Sequence, residues 1–291
     1  MLRVLVTGAS SPLGGAVCQR LRKSGAHVTG TVRRARAGWS SPDVDEVVML
    51  DLEDPSGFGA IRLGYDAIIH VAAASEGTSE ELMQSCGLGT ARLIERAKRV
   101  GIRRIMHVST MAVYGTVTTP TVSAHTPVDH STPYGAAKWA AECYLVDRQT
   151  VIRSASVRSP AIAGRRTHRH FLARTLRAMQ LAEPIVRVAN PDFMFNNIVH
   201  EDTLAEFLVH LATTTPDCYH AVPVGSTDPI SLREIVASLA NATDYRGTVE
   251  WVQAPSRPFA IDSADAIALG YRPLSTRETV DRWMRDVADA R

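Results

Sequence analysis

"VLVTGASSPLGGAV", residues 4–17, runs from an apolar strand through a glycine turn into the start of a helix. In that setting a glycine pattern reads as a dinucleotide-binding loop. Gly8 permits the tight turn, Gly14 lets the helix pack closely on the strand, and Pro12 sits near the first helical turn, where a missing N–H costs little. The helix start then offers unpaired N–H groups and a positive dipole end to a pyrophosphate. Ser11 stands where the usual pattern has its middle glycine. The alternative is a glycine-rich turn that holds no ligand.

Outward from this loop, short apolar runs alternate with helical stretches. They are RVLVT (3–7), a helix from about Pro12 to Ser24, HVTGTV (27–32), EVVML (46–50), DAIIHVAA (66–73), a helix from about Ser79 to Val100, and RIMHVST (104–110). Strands that alternate with helices of this length predict a parallel sheet covered on both faces. The expected fold is α/β, a Rossmann-type doubly wound parallel sheet with a smaller C-terminal substrate-binding lobe. From Gly164 onward loops lengthen and prolines recur. Residues 1–160 are expected to form the dinucleotide-binding domain. Residues 161–291 are expected to be mainly the lobe, interleaved with late strands and helices of the sheet domain.

With 291 residues, 45% of them hydrophobic, the chain can bury a substantial core. Its 32 basic and 30 acidic residues leave a net charge of +2 and no basic stripe, so nucleic acid is not an expected partner. The first apolar run is too short for a secretion signal and no apolar segment of about 18 residues follows, which predicts a cytoplasmic protein without a membrane partner. Cys18, Cys86, Cys143 and Cys218 lie far apart with no Cys-x-x-Cys pair. They are expected to be reduced, packed thiols, and no metal is implied.

The end of the second strand separates the two nicotinamide dinucleotides. A carboxylate there binds the ribose 2′-OH of NAD, whereas arginine accepts the 2′-phosphate of NADP. Here the run ends in Arg33 and Arg34 with no carboxylate, which favours NADP(H); the alternative is a pair of solvated arginines. After the third strand, Asp51 and Leu52 supply a carboxylate and an apolar side chain for the adenine end.

In YGAAK, residues 134–138, a tyrosine and a lysine stand one helical turn apart on the same face. With three lysines and seven tyrosines in the chain, chance produces such a match with a probability of about 7%. A free tyrosine has a pKa near 10 and is a poor base at neutral pH; a neighbouring ammonium favours its phenolate. Glu142, four residues beyond Lys138, reads as half of a surface ion pair. His70, His107 and His200 lie within or beside apolar strands and read as packed histidines.

Taken together, the glycine loop, DL after the third strand, HVAA after the fourth, VSTMAVYG after the fifth and YGAAK resemble the extended short-chain dehydrogenase/reductase family, the group containing NAD-dependent epimerases and dehydratases. FNNIVHEDTLAEFL and IDSADAIALGYRPLS are similar to later signatures, so the resemblance covers nearly the whole chain. It implies three catalytic residues. Tyr134 exchanges a proton with the substrate oxygen, Thr110 holds that oxygen, and Lys138 serves both the phenol and the nicotinamide ribose. It further implies cofactor contacts from Gly8, Ser10, Ser11, Pro12, Leu13 and Gly14, from Val71, Ala72 and Ala73, and from Tyr134, Lys138 and Pro160. A homodimer through the helices around Ser79–Val100 and Tyr134–Gln149 is implied as well.

Departures from the family pattern bear on the substrate. Ala161 and Ala163 stand where asparagine and tyrosine are common, and Cys86 replaces a common cofactor-side asparagine. Met111 and Ala112 replace the Asp-Glu pair of sugar dehydratases, which disfavours dehydration. Arg165, Arg166, Arg169, Arg174 and Arg177 form either a diphosphate clamp or a solvated helix face. The expected function is an NADP(H)-dependent oxidoreductase, a ketoreductase for a small molecule such as a nucleotide-linked sugar. The alternatives are an NAD-dependent nucleotide-sugar epimerase and a non-catalytic dinucleotide sensor.

Overall fold

The computed structural model describes residues 1–33, 39–165, 170–214, 218–254 and 258–289. Its strands are β1 (Arg3–Thr7), β2 (His27–Val32), β3 (Glu46–Met49), β4 (Ala67–His70), β5 (Arg104–Thr110), β6 (Thr121–Val122) and β7 (Arg153–Ser159), followed by β8 (Ala161–Ala163), β9 (Ile185–Ala189), β10 (Met194–Phe195), β11 (Ile198–His200), β12 (His220–Pro223), β13 (Ile230–Ser231), β14 (Thr248–Val252) and β15 (Ala260–Ile261). Seven of them form one sheet in the order β12-β7-β5-β4-β1-β2-β3. Every neighbouring pair in that sheet is parallel. The doubly wound architecture expected from the alternating pattern is therefore present. Strand order reverses between β1 and β4, and in such sheets the crevice beyond the carboxyl ends of those strands takes the ligand.

Period-two alternation sends successive side chains to opposite faces. Val4, Val6, Ala67, Ile69, Met106 and Val108 pack on one side with α1 (Pro12–Lys23) and a later helix from Glu201 to Thr214. Leu5, Ile68 and Ile105 point the other way, onto Leu93 and Ile94 and onto Leu145. Those partners belong to α3 (Gly89–Arg99) and α4 (Pro133–Asp147) on the opposite face; α2 (Ser79–Leu82) precedes α3. Between α2 and α3 the chain makes a π-helical turn, Met83–Leu88, so the helix expected over Ser79–Val100 is locally widened and under-wound. Its start is fixed by a capping box of Thr78 and Glu81.

The C-terminal part has its own core. Leu172 and Leu176 of α5 (Phe171–Gln180) meet Val186 and Val188 of β9, with Ile235, Leu239 and Trp283 closing the cluster. The Glu201–Thr214 helix is α6. β8 pairs in parallel with β11, aligning Ala163 with His200, and this small sheet leads into the two ends where α5 and α6 begin. Among the described residues no helix is long and apolar enough to cross a membrane. Cys18 and Cys86 are buried, but Cys143 and Cys218 are exposed, contrary to the expectation of four packed thiols. Cys143 falls on the outward side of α4, which spacing far apart along the chain does not reveal.

Candidate functional site

The glycine loop closes on itself through Ser11. Its Oγ donates to the Gly8 carbonyl at 2.7 Å and accepts from the Gly14 N–H at 3.1 Å, which caps α1. A Cβ on Gly14 would lie 2.1 Å from the Gly8 oxygen, so only glycine allows the helix to start this close to β1. Pro12 fills the first turn, no acid stands in it, and the exposed end therefore suits an anion. A crevice of about 610 Å³ opens above this end. Gly8, Ser10, Ser11 and Arg33 line it from the loop and β2, and Asp51 and Leu52 from the end of β3. Val71, Ala72 and Ala73 line it from the chain after β4. These residue types fit a nicotinamide dinucleotide: backbone N–H groups for the pyrophosphate, small side chains for close approach, and polar groups at the adenosine end. Arg34 lies outside the described residues, so the expected pair is described through Arg33 alone.

A second cavity of about 640 Å³ continues from the first, with Ser11, Val71, Ala73 and Ser75 lining both. Pro12, Leu13 and Pro160 line it, as do Thr110 and Tyr134. The structure thus unites nearly all residues expected at the cofactor and reaction sites. Two of them, Gly14 and Lys138, lie beneath the surface. Gly135 sets the approach of α4: its Cβ would meet the Ala112 carbonyl oxygen at 2.2 Å, so the first turn of α4 rests directly on the 3-10 turn Met111–Tyr114. Thr110 caps that turn by accepting the Ala112 N–H at 3.2 Å. Its own O–H remains the hydrogen it can offer to a substrate oxygen.

Beneath the cavities runs a buried polar network. Ala72 N–H donates to Thr7 Oγ1 at 3.1 Å, Thr7 bonds His70 Nδ1 at 2.7 Å, and His70 Nε2 meets Thr90 Oγ1 at 2.9 Å. His107 stacks on His70, with ring centroids 5.6 Å apart. Lys138 is 1% exposed and donates from Nζ to His107 Nε2 at 3.0 Å, leaving Nδ1–H to face Ser156 Oγ at 3.0 Å. Burial, with the Lys138 charge beside it, brings His70 down to about 3 and holds His107 well below its ordinary value, so both rings stay neutral. Burial lowers Lys138 as well. The histidines are packed, as expected, but His107 also fixes the ammonium.

Glu142 requires a correction. It is fully buried and makes no surface pair; Arg158 grips it through Nε at 3.1 Å and Nη2 at 2.7 Å, and Ser109 Oγ donates at 2.5 Å. Arg158 also donates to Tyr114 Oη at 2.8 Å, and Tyr114 passes its hydrogen to the Ser123 carbonyl. The reason is depth: the face of α4 that carries Glu142 lies against β5 and β7, and a buried carboxylate must find a cation. Tied to β5, α4 and β7, this cluster holds in place the turn that bears Thr110.

Three further residues escaped the sequence reading. Thr31 and Ser85 line the dinucleotide crevice; Ser85 occupies it while neighbouring Cys86 turns inward to donate to the Ala74 carbonyl at 3.1 Å. Glu201 lines the reaction cavity. Of the arginine cluster, Arg166 and Arg169 lie outside the described residues, Arg165 and Arg177 are exposed, and Arg174 borders a third cavity of about 1070 Å³. That cavity also holds Arg187, Asn190 and Phe193 and begins at Phe171, one residue from His170 in the reaction cavity. Among the described residues no group of three or more His, Cys, Asp or Glu could hold a metal ion.

Residues 4–215 match the model of a family described as the NAD dependent epimerase/dehydratase family. The chain is 25% identical to the UDP-glucose 4-epimerase of Streptomyces lividans over 281 residues, 88% of this chain and 84% of that one. Against the UDP-glucose 4-epimerase of Mycolicibacterium smegmatis it is 32% identical over 157 residues, spanning half of each chain. In fold it is similar to a UDP-glucuronic acid 4-epimerase from Bacillus cereus solved in complex with NAD, with a TM-score of 0.83, 19% identity and 99% of each chain covered.

Proposed function

Because the chain belongs to the NAD dependent epimerase/dehydratase family, as an enzyme of the extended short-chain dehydrogenase/reductase type, we propose that it epimerises a nucleotide-linked sugar through a nicotinamide dinucleotide. One observation carries the reading: the Thr110 and Tyr134 side chains line a single cavity that continues from a dinucleotide crevice. A nicotinamide dinucleotide held by Gly8, Ser10, Ser11, Val71, Ala72 and Ala73 would supply reversible hydride transfer to this cavity. Tyr134 Oη accepts the proton of the substrate hydroxyl and later returns it. Thr110 O–H donates to the same oxygen and steadies charge as it develops there. Lys138, held by His107 one helical turn from Tyr134, favours the phenolate through its ammonium form. Arg174, Arg187 and the aromatic wall of the third cavity suit the diphosphate and base of a nucleotide. Residues 1–160 then serve mainly the dinucleotide and residues 161–291 mainly the substrate.

The relatives named above favour this reading over the NADPH-dependent ketoreductase expected from the second strand. One specific observation still supports the reductase: Arg33 lines the dinucleotide crevice at the end of β2. The two readings separate in one experiment. The purified protein, supplied with NAD, is incubated with UDP-galactose, and formation of UDP-glucose is followed. Conversion, with NAD released on denaturation, is the expected result. No conversion, together with tighter binding of NADPH than of NADH, would move the assignment to the reductase. Assembly as a homodimer through α2–α4 belongs to the same proposal; a monomer by light scattering at micromolar concentration contradicts it.

A further inference from the structure

Two polar groups on the wall of the reaction cavity have no role in the proton transfer. Glu201 begins α6, is 9% exposed, and accepts the Arg165 backbone N–H at Oε1 over 3.4 Å. Its Oε2 is buried with no hydrogen-bond partner among the described residues. His170 caps α5 by accepting the Ala173 N–H at Nδ1 over 3.2 Å, which leaves the ring hydrogen on Nε2. That Nε2 is likewise buried and without a partner among the described residues. Burial, aided by the Arg174 charge, brings His170 down to about 4, so the ring stays neutral and Nε2 stays a donor.

Packing does not account for these groups, since aliphatic side chains would fill the same space without stranding polar atoms. The fold even makes room for the carboxyl: a Cβ on Gly164, just past β8, would lie 2.1 Å from Glu201 Cδ. Both residues line the cavity that holds Thr110 and Tyr134. One stranded atom donates and the other is a carboxyl oxygen. A hydroxyl, which accepts and donates at once, satisfies both together, whereas an ammonium, a carboxylate or a methyl group satisfies one or neither.

We propose that Glu201 and His170 form a subsite for a sugar hydroxyl other than the one that reacts, and so help to determine which sugar the enzyme accepts. His170 Nε2–H donates to the hydroxyl oxygen, and Glu201 Oε2 takes up its hydrogen. The assignment rests on the nucleotide-sugar reading above.

Titration calorimetry of the NAD-loaded protein with UDP and with UDP-glucose tests it. The wild type is expected to bind UDP-glucose more tightly than UDP. Glu201→Ala and His170→Asn should each cut that advantage by about tenfold while leaving the affinity for UDP within about twofold. Asparagine retains an oxygen able to cap α5, so the second variant removes the Nε2–H without removing the cap. Glu201→Gln, nearly the same size, should keep part of the advantage and guards against a folding defect in the alanine variant. Variants that discriminate between the ligands as well as wild type overturn the subsite alone. Failure of UDP itself to bind the wild type overturns the nucleotide-sugar reading and the subsite with it.

Discussion

Tyr134, Lys138 and Glu142 follow one another at four-residue steps along one face of α4, yet the two ends of that face do opposite things. Tyr134, at the start of the helix, reaches a cavity of about 640 Å³. Glu142, two turns further in, is fully buried and locked to Arg158 and Ser109. Lys138 lies between them, buried but held by a neutral histidine instead of a counter-ion. The same helical periodicity thus reaches an open cavity at the carboxyl edge of the sheet and forms framework in its interior. What changes along it is the distance to water.

This contrast can be broken most forcefully at the inner end. Glu142→Ala leaves Arg158 buried and unpaired, and should cost about 3–5 kcal/mol of stability in urea unfolding. Combining it with Arg158→Leu should recover most of that loss, because the stranded charge goes with its partner. A single variant as stable as wild type would mean that the pair does not hold this part of the fold.

Legibility in the sequence follows the same divide. The bounds of β1, β2 and β5 and the glycine loop could be read from local pattern, since each depends on neighbours within a few residues, whereas Thr110 is placed beside Tyr134 only by the family resemblance. Glu142 was misread because spacing fixes a face but not its depth. His107 sits in an apolar run, and nothing in that run reveals the lysine that meets it 31 residues on. Glu201 and His170 come from elements that converge only through β8 and β11, a pairing between segments too short to signal themselves.

A second prediction sharpens the contrast through pH. His70 is neutral in the fold with a pKa of about 3 against an ordinary 6.5, so the unfolded chain binds its proton first across that window. Its contribution is complete above pH 6.5 and is lost as pH falls toward 3. His107, lowered well below 6.5, acts in the same direction. Each adds a slope of about 1.4 kcal/mol per pH unit within its window. His70→Asn should make the acid limb of the stability curve shallower by about that amount in urea titrations at a series of pH values. An unchanged slope would show that this imidazole is already protonated in the fold.

The smallest effect is expected at the far end of the dinucleotide crevice. If Arg33 contacts a 2′-phosphate, Arg33→Ala should weaken NADPH binding about tenfold and leave NADH within about twofold, as measured by fluorescence titration. Equal losses for both dinucleotides would assign Arg33 to the adenine or to solvent, and leave the crevice indifferent to the phosphate.

The outer end of α4 is tested most directly by Tyr134→Phe, which removes a single oxygen from a side chain lining the reaction cavity. The variant, loaded with NAD, is mixed with UDP-galactose while binding and formation of UDP-glucose are measured together. If Tyr134 Oη carries the proton, binding stays within about twofold of wild type and turnover falls by about 10²–10⁴-fold. Turnover near the wild-type rate, with the phenol gone, would contradict the proton transfer assigned to it.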